Sequence, residues 1–337
     1  MHRVASDLNK AKREPFFDVM VADCDHRGFP KGDSLQKYIL KWLSAPDPWK
    51  NHYAACKSRH PGTAEWFIHG NTFPEWTASD VPGSLLWVHG IGLLLEIPSF
   101  CSPTDTYFVF AAGAGKSVFW FVKSLYFLLG KLIAFISSTI IEDIRVMQKA
   151  GLASLAFFYC DFREDRKTEL RGLLTSFLVQ LYHQSESYFY ILSNFYSEHD
   201  KGSRPPSDDA LARCLKDLLE SPGLAPVYLI VDGLDECPKP SIVRSPRADV
   251  LSFIEKLYRT QIRNLRICIT SRPEPDIKKV LNPLVFHSIT LHNEGGQKKD
   301  IKDHIRSVIN SRTVEARWKE WHRELAIDVL SEKSNGM

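Results

Sequence analysis

AGAGKS, Ala112 to Ser117, is the stretch from which the rest of this chain is read. Gly113, Ala114 and Gly115 make a small-residue turn whose backbone N–H groups can converge on phosphate oxygens. The Lys116 ammonium neutralises phosphate charge, and the Ser117 hydroxyl is of the type that ligates Mg²⁺. Two further stretches follow in order. VYLIVDGLDE, Val227 to Glu236, is an apolar strand ending in acids, where a metal ion and an attacking water are held in phosphoryl-transfer sites. ICITSRPEP, Ile267 to Pro275, is a second apolar strand that ends in Thr270, Ser271 and Arg272, a place to sense a terminal phosphate.

The first motif is interrupted. The full pattern is G-x-x-x-x-G-K-[ST], and Phe110 stands where its first glycine belongs. A suitable glycine, Gly90, ends LLWVHG, and Ile91 to Phe110 separate it from Ala111. Without those residues the chain reads LLWVHG-AAGAGKS, a strand running into a complete P-loop. A second apolar stretch, about Phe119 to Ser137, follows Val118. Its removal joins the loop to STIIEDIRVMQKAG, where Ile140, Ile141, Ile144 and Met147 recur at helical spacing among charged residues. Both stretches therefore read as in-frame insertions, such as translated introns, into a good motif.

Composition narrows the class. The net charge of +3 is too small to argue for nucleic acid or an acidic membrane. Seven cysteines, odd in number and without a C-x-x-C pair, fit a reducing, cytoplasmic setting better than a disulfide scaffold or zinc site. Cys160 and Cys237 lack a histidine partner in sequence and read as packing residues. Val118 to Ile136 has the length of a membrane span. Lys123 and Lys131 disfavour that reading, each costing roughly 2.5–3.5 kcal/mol at a membrane centre.

Strand and helix signals alternate along the chain. Leu85–His89, Ser154–Phe162, Val227–Val231, Leu265–Ile269 and Phe286–Leu291 read as strands. Helices are expected over Ser34–Pro46, Glu169–Gln184, the segment LARCLKDLLE and Val250–Tyr258. This predicts an α/β fold of the P-loop NTPase kind, a mainly parallel sheet with helices on both faces, followed by the start of a helical region. The expected organisation is an irregular and helical segment over 1–60, the NTPase domain over 61–295, and the opening of a truncated helical domain over 296–337.

LLWVHG, AGAGKS, SLAFFYCDF, VYLIVDGLDEC and LRICITSRPEPDI together resemble the NACHT-type NTPase domains of the STAND class, above all the nephrocystin-type N-terminal domains abundant in fungi. HPGTAEWF, His60 to Phe67, resembles the segment that precedes their first core strand. The resemblance implies Mg²⁺-dependent binding of ATP or GTP, weak hydrolysis that resets a switch, and self-association or protein partners in signalling or defence. It implies phosphate contacts from Gly90, Gly113, Ala114, Gly115, Lys116, Ser117 and Val118, sensing by Thr270 and Arg272, and metal ligation by Ser117 and Asp232. Glu236 or Asp235 would orient the attacking water, with Glu236 favoured. Two other readings stay open: a non-enzymatic interaction remnant, and a protein anchored through Val118–Ile136.

Overall fold

The structure is a computed structural model that describes residues 33–59, 62, 64–90, 135–221, 225–239, 245–285 and 287–290, with Arg306, Glu320 and Glu324. Ile91–Phe110 and the AGAGKS loop lie outside the described residues.

Five strands form one all-parallel sheet: β1 (Ser84–His89), β2 (Ser154–Tyr159), β3 (Val227–Asp232), β4 (Leu265–Ser271) and β5 (His287–Thr290). Their order across the sheet is β2-β3-β4-β1-β5. The strands are almost continuously apolar because both faces of the sheet are covered. Along β3, Leu229 and Val231 face one core, while Tyr228 and Ile230 face the other.

Among the described residues, ten helices cover these faces. Packed on the first are α1 (Asp33–Leu43), α6 (Leu170–Tyr182), α7 (Glu186–Glu198), α8 (Asp208–Leu219), α9 (Pro246–Arg259) and α10 (Pro275–Leu281). On the second lie α2 (Trp49–Ser58), α3 (Glu65–Ile68), α4 (Thr72–Ala78) and α5, residues 135–149. The helix α8 is capped by Ser207, whose hydroxyl accepts from the Ala210 N–H. In α5 the apolar stripe predicted from Ile140, Ile141 and Ile144 is buried, and it starts earlier, at Ile136. Truncating one such isoleucine to alanine costs about 2–5 kcal/mol. Phe135, Ile136 and Ser137, assigned by sequence to the second insertion, form the first turn of α5 and are fully buried.

The edge strand β2 is finished by side chains. The Phe157 N–H donates to Gln180 Oε1 (3.1 Å), and Gln180 Nε2 donates back to the Phe157 carbonyl (2.7 Å). One helical turn on, Gln184 Oε1 accepts from the Leu155 N–H (2.9 Å) and its Nε2 donates to the Leu155 carbonyl (2.6 Å). Two glutamines at i and i+4 of one helix face thus make the bonds of a missing neighbouring strand.

Candidate functional site

The strand register brings those predicted residues that are described to one rim. Val231 lies beside Ile269 and His89 beside Ser271. The carboxyl ends of β3, β4 and β1 are therefore neighbours, and Asp232, Thr270 and Gly90 come from adjacent strands. Crevices outside the carboxyl ends of parallel strands are where α/β sheets bind ligands.

Asp232, the last residue of β3, is buried. Its Oδ1 accepts from the Thr270 hydroxyl at 2.6 Å and from the Ser137 hydroxyl. Ser137 Oγ lies 3.4 Å from Thr270 Oγ1, which also accepts from the Gly233 N–H at 3.1 Å. Burial pushes the Asp232 carboxyl up to about 6, against the two hydroxyl bonds, which favour its charged form. Thr270 is fully buried, and its hydroxyl holds Asp232 in place.

The chain turns sharply after Asp232. Gly233 sits at φ 68°, a conformation glycine adopts without steric cost. The single 3₁₀ turn Leu234–Glu236 then carries both acids to the rim. Asp235 Oδ1 accepts from the Arg272 N–H at 2.9 Å, and its Oδ2 lies 3.3 Å from Arg272 Nε. Asp235 and Arg272 are thus partners. Glu236 Oε2 accepts a long bond, 3.4 Å, from the Phe162 N–H. As a residue Glu236 is exposed, yet its carboxyl is crowded by the surrounding chain. That crowding, with the Asp232 charge second, raises it to about 7.

Two features of this rim were not read from sequence. Arg247, near the start of α9, is almost fully buried and donates to the carbonyls of Cys237 (2.8 Å) and Asp235, while also pairing with Glu274 and Asp276. It clamps the turn that presents the acids. An arginine one residue after a helix-opening proline was the available signal, but it does not distinguish a clamp from a surface charge. The second is Ser137, whose hydroxyl stands beside Asp232 where Ser117 was expected. The loop residues Gly113, Ala114, Gly115, Lys116, Ser117 and Val118 lie outside the described residues. Cys160 and Cys237 are both buried, with their sulfurs 3.5 Å apart.

Asp232 is a buried carboxylate whose partners, among the described residues, are hydroxyls. Such an oxygen-only set suits a hard cation such as Mg²⁺. The acid that ends β3 and the hydroxyl of Thr270 in β4 thus meet Ser137 in the first turn of α5.

Residues 130–272 match the family described as Nephrocystin 3, N-terminal. The nephrocystin-type stretch contains α5, β2, β3 and β4, and with them Ser137, Asp232, Asp235, Glu236, Thr270 and Arg272. It begins after AGAGKS. A curated relative, the vegetative incompatibility protein HET-E-1 of Podospora anserina, is 25% identical over 149 residues, which is 42% of this chain and 10% of that protein. The match thus spans about a tenth of its relative's length. The resemblance drawn from the motifs holds for this nephrocystin-type core. No helix among the described residues is long and apolar enough to cross a membrane. Of the Val118–Ile136 stretch, the described part is Phe135 and Ile136, both buried.

Proposed function

We propose that this chain is the Mg²⁺-dependent nucleotide-binding switch module of a STAND-type protein, taking ATP or GTP and hydrolysing it slowly. The observation that carries the reading is Asp232, buried at the carboxyl end of β3 and held by Ser137 and Thr270, with β4 between it and β1, the strand that precedes AGAGKS in sequence.

Each residue has a role under this proposal. Gly90 and Gly113–Val118 wrap the phosphates, and Lys116 faces their charge. Asp232, with the hydroxyl of Ser137 or of Ser117, would hold Mg²⁺, which supplies charge neutralisation at the phosphate oxygens. Glu236, with a carboxyl near neutrality, accepts a proton from the attacking water. Asp235 steadies Arg272 at the rim, and Arg272 reports the terminal phosphate. Nucleotide-controlled self-association would be the output, by analogy with the family the motifs resemble.

The interruption at Phe110 favours a second reading, a remnant that folds without binding nucleotide. Fluorescent-nucleotide titration separates the two. The informative protein lacks Ile91–Phe110 and has its second deletion ending before Phe135, so that Ser137 is kept. It should bind Mg-nucleotide, and Lys116→Ala should abolish binding. Glu236→Gln should keep affinity and lose hydrolysis. Equal binding by the parent and Lys116→Ala would refute the phosphate loop. The uncut chain should bind at least about tenfold more weakly, a loss of about 1.4 kcal/mol.

A further inference from the structure

Away from the rim, His52, Cys56 and Glu142 bring three ligand atoms within 4.8 Å of one another. His52 and Cys56 lie one turn apart on α2, so they share a face. Glu142 comes from α5, 90 residues along the chain from His52. We propose that this trio is a binding site for a borderline-soft divalent cation, Zn²⁺ above all, joining α2 to α5.

The geometry is close to what such a site needs. Tetrahedral zinc with bonds of about 2.3 Å to sulfur and about 2.05 Å to nitrogen has a sulfur–nitrogen edge of about 3.6 Å. Cys56 Sγ lies 3.5 Å from His52 Nε2. The His52 Nε2 to Glu142 Oε1 distance is 2.7 Å, a hydrogen bond, and it opens to about 3.4 Å when a metal replaces the shared proton. A small rotation of the glutamate, which is partly exposed, provides this.

The surroundings support the same chemistry. His52 is fully buried, and its Nδ1 lies 3.0 Å from the Tyr159 hydroxyl. A hydroxyl serves either tautomer, so with Nε2 on the metal the Nδ1–H donates to Tyr159 Oη, the outer bond that orients a ligating histidine. Glu142 supplies a carboxylate whose Oε1 already meets His52 Nε2 and accepts from Arg145. Thiolate, carboxylate and neutral imidazole sum to two negative charges, matching the ion. The Cys56 proton leaves to solvent on binding, since the thiolate is the ligand. The positive groups facing the trio are Arg145, bonded to Glu142 Oε1 at 2.9 Å, and Arg59, whose guanidinium is held by Thr139 Oγ1 at 2.6 Å. Cys56 is partly open, which gives the ion its entry and a water the fourth position.

The test uses the full chain without nucleotide or Mg²⁺, so its outcome is independent of the proposed switch function. Co²⁺ is titrated in while the sulfur-to-cobalt charge-transfer absorption is followed. One equivalent should give the band, and Zn²⁺ should abolish it by displacement. Cys56→Ser should lack the band, and Glu142→Gln should weaken Co²⁺ binding at least about tenfold, with circular dichroism confirming that both fold. A band of undiminished strength in Cys56→Ser would place the metal on another cysteine and overturn the assignment. So would a wild-type chain that gives no band.

Discussion

Two polar clusters meet α5 five residues apart, about 7.5 Å along its axis, and they treat their carboxylates in opposite ways. At the first turn, Ser137 helps to hold Asp232, which rises to about 6. One turn on, Glu142 bonds His52 and Arg145 and falls to about 2. Hydroxyls do not offset the desolvation of a buried carboxylate; an imidazole and a guanidinium do. Among the described residues, hydroxyls bond the Asp232 carboxylate, whereas Glu142 is bonded by an imidazole and a guanidinium. The donors differ too. Among the described residues, hydroxyl oxygens bond the Asp232 carboxylate, while sulfur, nitrogen and oxygen meet at His52.

The strongest way to break this contrast is to remove each acid in turn. Asp232→Ala should cost Mg-dependent nucleotide affinity about a hundredfold or more, roughly 2.7 kcal/mol. Glu142→Ala should leave that affinity within about threefold. Isothermal titration with and without Mg²⁺ decides it, and equal losses would mean that the two clusters act as one.

A smaller effect sharpens the contrast, because the two acids should bend the pH dependence of stability in opposite directions. Asp232 binds its proton more tightly folded than unfolded. Its favourable contribution is full below about pH 4 and is lost as pH rises through about 6, at most about 3 kcal/mol in all. Glu142 is depressed on folding, so its contribution is present above about pH 4.5 and is lost as pH falls towards 2. In denaturant titrations from pH 3 to 8, Asp232→Asn should reduce the decline on the neutral side, leaving the part that Glu236 adds. Glu142→Gln should flatten the acid side alone. If either variant changes the wrong limb, the assignment of these shifts is reversed.

Much of the framework is visible in the sequence, for physical reasons. Parallel strands buried on both faces read as continuous apolar runs, so SLAFFY, VYLIV and RICIT mark themselves. Asp232, Thr270 and Arg272 were legible because strand ends fix where such residues stand. The helix α7, ESYFYILSNFYSE, went unread because its aromatics fall on both sides and blur the helical period. Ser137 was concealed by an apolar neighbourhood that looked foreign. His52, Cys56 and Glu142 carry no local signal beyond an i, i+4 pair, since only the docking of α2 on α5 brings them together. Arg247 was hidden in the same way, being a clamp only once α9 lies over the turn after β3.

Gln180 and Gln184 have a consequence for assembly. An uncovered outer strand is an invitation to other chains, because its amides and carbonyls seek partners. Here the outward groups of Leu155 and Phe157 already have them. A strand arriving from another molecule would have to displace two side-chain amides before it could register with β2. At Leu155 and Phe157 that flank of the sheet is closed to strand addition, so any association of copies would have to use side-chain surfaces or another flank.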